Sequence, residues 1–216
     1  MPSPRPHSLA RLVLGLVAVI TLLVYFVPSS PALTSRIAEM TAPPSGDPIA
    51  NLRVTLAQVP GADPPALRAT ITNNNPFAVS FLDYDAPVDA LAVPLGLVEL
   101  TPGAPPGAAP VATEGIVKLR RLWPPLVDFV HEVPGGGGTL VSEPLLLRPE
   151  NVPYGKLGDR FFVRIRGPWR AVMAMPKSEI TGEFLEHIPA RPNTYQGSYE
   201  SDRIEIRVDA TALELK

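Results

Sequence analysis

Asn51-Leu-Arg-Val-Thr-Leu-Ala-Gln-Val59 and Ala66-Leu-Arg-Ala-Thr-Ile-Thr-Asn73 are the two stretches whose periodicity sets the fold class. In the first, Leu52, Val54, Leu56 and Gln58 share one parity, while Arg53 and Thr55 hold the other. In the second, Leu67, Ala69 and Ile71 alternate with Arg68, Thr70 and Thr72. Successive side chains of a strand point to opposite faces, so this alternation marks two half-buried strands. The join between them, Pro60-Gly-Ala-Asp-Pro-Pro65, is turn chemistry and makes them a hairpin-like pair.

Working outward, Asn73-Asn74-Asn75-Pro76 reads as a turn, because Asn tolerates left-handed backbone and Pro fixes φ. Phe77, Val79 and Phe81 then alternate with Ala78 and Ser80. Further strands are expected at Leu95–Leu100, Ile116–Leu122, Thr139–Leu147, Arg160–Ile165, Arg170–Met173 and Arg203–Val208. Pro102–Pro110 and the Gly135–Gly138 run are expected as surface loops. Ser178–Ile188 is the one helix expected in the domain, with Ser178 as cap and Ile180, Phe184, Leu185 and Ile188 at helical spacing. Short strands separated by turn signals describe an all-β, antiparallel sandwich.

Composition agrees. The chain has 216 residues, enough for one sizeable core, and its 28 prolines oppose long helices. Cysteine is absent, which excludes disulfides and thiol-based metal sites. Without Arg5 and Arg11 the chain holds 17 basic against 21 acidic residues, and it has no basic stripe. Nucleic acid is therefore not an expected partner. Asn-x-Ser/Thr acceptors are also missing.

At the N-terminus, Arg11 precedes an uncharged run from Leu12 to Val27 in which only Thr21 is polar. At 1.5 Å per residue such a run makes about 24 Å of helix, between a signal-peptide core and a full membrane span. Two readings stay open: an uncleaved signal anchor held in the membrane, or a signal peptide cut after Ala32. Both place the following domain on the luminal or outer side, by the positive-inside rule. The expected organisation is thus a leader helix within residues 1–32, a linker over 33–48, and a sandwich domain over 49–216.

A resemblance joins these pieces. Leu52-Arg-Val-Thr-Leu56, Leu67–Thr72 with its Asn run, Val79-Ser-Phe-Leu82, Asp85-Ala-Pro-Val88, Glu114-Gly-Ile116 and Arg120-Arg121 resemble, in order, the N-terminal propeptide domain of fungal deuterolysin-type zinc endopeptidases. The likeness runs from Leu52 to about Val172. It implies an immunoglobulin-like β-sandwich, a secreted fungal context and a domain that docks on a protein partner such as a peptidase. The peptidases carry a His-Glu-x-x-His catalytic domain after this propeptide, and the present sequence shows no such motif. Peptidase activity therefore does not carry over.

The residues offer little other chemistry. A zincin helix needs His at i and i+4; His131-Glu132 starts one, but Gly135 takes the second place and Pro134 breaks the helix. Glu183-Phe-Leu-Glu186-His187 likewise lacks the first His of the inverted motif. Asp83, Asp85 and Asp89 are the one metal candidate, a weak Ca²⁺ loop lacking glycine at its sixth position and Glu at its twelfth. Neither catalytic residues nor a cofactor are expected. Arg120-Arg121 could serve as a dibasic processing site, although the strand expected there would shield it. Trp123 and Trp169 read as packing residues, or Trp169 with Arg166 and Arg170 as a small exposed patch. The leading expectation is a non-catalytic interaction module. Its alternatives are a hydrolase assembled from Asp83, Asp85, His131, Glu132, Glu186 and His187, and a structural role at a cell surface.

Overall fold

The computed structural model describes residues 46–210 and residue 213, so the leader helix, the linker's start and the cleavage point after Ala32 lie outside the described residues. Two antiparallel sheets form a sandwich. The first contains β1 (Leu52–Val59), β2 (Ala66–Asn73), β6 (Gly138–Val141) and β7 (Leu145–Leu146); β2 is central, flanked by β1 on one side and by β6 and β7 on the other. The expected hairpin is in place, with Leu52 opposite Asn73 and Val59 opposite Ala66. Its inward parity is the expected one: Val54, Leu56, Leu67, Ala69 and Ile71 are buried, and Arg53 and Arg68 are exposed.

The second sheet is organised by β8 (Arg160–Met173), one 14-residue strand where the sequence suggested two. The first half of β8 pairs with β4 (Val98–Pro102) and β10 (Ile204–Arg207). Its second half pairs with β3 (Val79–Leu82) and β9 (Thr194–Glu200), and β5 (Val130–Val133) completes the sheet beside β3. Gly167 and Pro168 hid the continuity, since both weaken a strand pattern. The break between β9 and β10 is patched by buried Ser201. Its amide donates to the Ile165 carbonyl, and its hydroxyl accepts from the Ile165 amide at 3.0 Å.

The facing layers bury Leu67, Ile71, Phe81, Leu100, Phe161, Ile165 and Trp169 in one core. Trp169 sits at its centre, with ring centroids 5.0 Å from Phe81 and 5.1 Å from Tyr199. It is 1% exposed, so the idea of a Trp169 surface patch is corrected.

Every residue of β3 is buried, because the sheet's outer face is covered as well. Leu82, Val130, Ala171 and Met173 pack there against Ile180, Leu185 and Ile188. The covering segment is the region expected as one helix, but it is three short pieces: 3₁₀ turns at Lys177–Glu179 and Ile188–Ala190 around helix α2 (Gly182–Glu186). Its cap is Thr181, whose hydroxyl accepts from the Phe184 amide at 3.1 Å, and not Ser178. A short helix α1 (Tyr154–Leu157) stands between β7 and β8.

Other expectations need correction. The strand placed at Leu95–Leu100 starts at Val98, and Thr139–Leu147 divides into β6 and β7. Val130–Val133, where no strand was expected, is one. Ile116–Leu122 is not a strand at all.

The Asn run acts through its side chains. Neither Asn73 nor Asn75 has positive φ. Buried Asn73 donates to the carbonyls of Phe77 (2.9 Å) and Val133 (3.0 Å), and accepts from the Asn75 amide. Asn75 donates to the Pro48 carbonyl at 2.9 Å, tying the start of the domain to this knot. Gly136 and Gly137 donate to the Asn75 and Asn73 carbonyls from left-handed backbone, at φ 70° and 89°. A Cβ on Gly135 would stand 2.6 Å from the Phe77 backbone. The glycine run is thus the close seat of a buried polar knot as well as a loop.

Candidate functional site

Between the isolated bridge of Leu100 with Val111 and the 3₁₀ turn Val127–Phe129, the chain crosses the surface without joining a ladder. This strap, residues 112–126, carries Ile116, Val117, Leu119, Leu122, Trp123 and Leu126, each 40–56% exposed. They are six of the eight exposed large apolar side chains among the described residues, gathered in one run. Lys118, Arg120 and Arg121 stand between them, and no acidic residue occurs from Gly115 to Val127.

Particular contacts hold the strap to the body. The Glu114 amide donates to the Asn151 carbonyl, and the Val117 amide to the Pro94 carbonyl, both at 2.9 Å. The Tyr84 hydroxyl donates to the Leu122 carbonyl at 3.3 Å. Arg121 forms an ion pair with buried Asp89, and its guanidinium lies 5.0 Å from the Tyr84 ring centroid. Lys156 pairs with Glu114 at 2.8 Å. The apolar side chains therefore stand in water on a held backbone.

The same contacts engage the three aspartates of the calcium candidate. Asp89 accepts from Arg121 and from the Asp85 and Leu91 amides. Asp85 accepts from Arg170 at 2.6 Å. Asp83 lies 3.7 Å from His131 Nε2. Two of the three carboxylates are thus turned to arginines, and no group of three or more His, Asp or Glu is placed to hold a metal among the described residues. A Ca²⁺ site takes six or more oxygens, and the Asp85 and Asp89 carboxylates are engaged by Arg170 and Arg121.

Of the six residues considered for hydrolysis, the fold brings together only Asp83 and His131. Glu132 accepts from the Lys177 amide at 2.6 Å and fixes the 3₁₀ turn over the outer face. Glu186 and His187 are exposed at the end of α2. An open cleft of about 460 Å³ is lined by Glu114, Val152, Tyr154, Lys156 and Leu213 among others, and by none of the six.

Charge is otherwise spent on cohesion. Glu99 of β4 is nearly buried and faces Arg164 (2.7 Å), Arg166 (3.2 Å) and Arg203 (3.4 Å). The Arg164 hydrogen bond holds its carboxyl below the usual range, against the opposing effect of burial. Burial pushes the Tyr154 and Tyr199 hydroxyls up, beyond the ordinary tyrosine range. Tyr154 donates to the Leu147 carbonyl at 2.6 Å, and Tyr199 to that of Asp85 at 2.7 Å.

Sequence reasoning assigned the strap to a strand and missed it as a surface. The signal was present: read at period 2, Lys118 and Arg120 fall with Ile116 and Leu122, while Arg121 falls with Leu119 and Trp123. Both parities carry charge, so neither face could be buried.

The described residues thus form an antiparallel β-sandwich of two sheets that carries a basic, apolar strap on its surface. A family model described as immunoglobulin-like domain matches residues 51–208, and the chain belongs to that family. Comparison with curated proteins returns no match. Among the described residues, no helix is long and apolar enough to cross a membrane.

Proposed function

We propose that this protein is a non-catalytic interaction module that docks on a protein partner through the strap 112–126. The observation that carries the reading is the run of six exposed apolar side chains, Trp123 included, on a backbone pinned at both ends. Large exposed apolar groups gathered in one place are what interfaces use, and a pre-held backbone lowers the ordering cost of binding. Lys118 and Arg120 favour a partner whose apolar groove has an acidic rim. The likeness to deuterolysin-type propeptides supports a secreted peptidase as that partner, and the Leu12–Val27 run supports delivery through the secretory pathway. No catalytic residue, cofactor or nucleic acid is part of this reading.

The test compares wild type with Leu122→Ser/Trp123→Ser against purified secreted peptidases by calorimetric titration. A saturable one-to-one complex weakened at least tenfold by the double substitution is the expected result. Equal binding by both proteins, with matching circular dichroism, would overturn the reading.

A further inference from the structure

Arg120-Arg121 is the one place in the sequence where two Lys or Arg residues adjoin. The strand expected there would have hidden it; the structure leaves it on the strap. We infer that the Arg121–Leu122 peptide bond is a processing site, cut by an endopeptidase that reads paired basic residues, and that the sandwich stays assembled after the cut.

Endopeptidases bind a run of residues in extended form, pairing with its backbone as an added strand. The amides of Lys118–Trp123 have no backbone hydrogen bond among the described residues. Every residue from Gly115 to Pro124 is exposed except Arg121, which is half-buried. Arg120 is therefore ready for the acidic pocket that reads the first basic residue. Arg121 must leave Asp89 to fill the second, exchanging one carboxylate partner for another. With no acid between Gly115 and Val127, nothing in the run repels an acidic cleft. Water adds across the C–N bond, leaving a carboxylate on Arg121 and an ammonium group on Leu122.

Topology decides what the cut does. The piece ending at Arg121 carries β1 to β4, and the piece starting at Leu122 carries β5 to β10. The pieces interleave in both sheets: β2 pairs with β6 and β7, β3 with β5 and β8, and β4 with β8. Phe81 of the first piece packs on Trp169 of the second. No ladder or core contact runs through the broken bond, so the nicked domain remains one body. If the strap docks a partner, the cut separates Ile116–Leu119 from Leu122–Leu126 and divides the docking surface. That consequence rests on the proposed function, whereas the cut itself does not.

The experiment uses the full chain and a purified paired-basic-specific serine endopeptidase, with no partner present. Intact mass and N-terminal sequencing are expected to show one early product starting Leu122-Trp123-Pro124. The two pieces should co-elute in native buffer and separate in denaturant. Arg120→Gln, which leaves the Arg121–Asp89 pair intact, should slow the cut at least tenfold. Any of three results would overturn the inference: resistance under conditions that cleave a peptide spanning residues 116–126, an equal cutting rate for Arg120→Gln, or pieces that part in native buffer.

Discussion

The β1–β2 hairpin and the strap 112–126 are both rich in apolar residues punctuated by arginine, yet the first is the wall of a core and the second stands in water. In the hairpin, every large apolar side chain of β2 shares a parity, so one face can be buried whole. Each of Leu67 and Ile71, fully buried, contributes about 1.5–3 kcal/mol by that burial. In the strap, either parity would take a cation inward, Lys118 and Arg120 on one face and Arg121 on the other, and Pro124 and Pro125 would leave gaps in any ladder. Apolar content alone does not make a strand. The arrangement of charge by parity does, together with a neighbour that offers backbone groups.

Substitutions in the two regions should therefore behave in opposite ways. The largest effect is expected from Ile71→Ala, which opens a cavity beneath β2 and should lower stability by about 2–5 kcal/mol in urea titration. A loss below about 1 kcal/mol would mean that the hairpin is no better packed than the strap. Asn73→Ala comes next. It leaves the Phe77 and Val133 carbonyls without its two donors, and about 1–3 kcal/mol of destabilisation should follow.

Acid tests cohesion by charge, which the hairpin uses only in the exposed Arg53–Asp202 pair. The folded carboxyl of Glu99 lies below its unfolded value, so its stabilisation is present above the ordinary Glu pKa of about 4.3. It is lost as pH falls through that value and on towards the folded one. Glu99→Gln should flatten the stability profile in this window and cost less at pH 3 than at pH 7. The raised tyrosines act at the other end. Their stabilisation is complete below about pH 10 and declines as pH rises further, because the unfolded hydroxyls ionise first. Tyr154→Phe should reduce that alkaline slope. The smallest effect belongs to the strap: Leu122→Ser should change stability by no more than about 0.5 kcal/mol, as exposed positions do. A larger loss would show that the strap supports the fold.

How much was legible varied with the locality of the signal. β1, β2 and β10 showed themselves because their neighbours in sequence carry the alternation. β9, with Tyr195, Gln196, Gly197 and Ser198, has almost none, and is a strand because β8 offers it a ladder. β5 hid behind His131-Glu132, whose polar side chains reach Asp83 and the Lys177 amide, contacts made across long separations. The aspartate cluster looked like one site because three carboxylates lie close in sequence. In space, Arg121 and Arg170 divide them.

The sequence by itself determined the class: a cysteine-free antiparallel β-sandwich, with the β1–β2 hairpin inward by the parity of its apolar residues. It also marked the absence of a complete zinc-peptidase motif, which is a matter of spacing. The tertiary structure decided which apolar run became wall and which became surface. That choice depends on whether a second strand lies within hydrogen-bonding distance and whether every charge brought inside finds a partner. Among the described residues no strand pairs with residues 112–126, and of Lys118, Arg120 and Arg121 only Arg121 meets a carboxylate. The chain was therefore left outside with its leucines, its tryptophan and Arg120 on display.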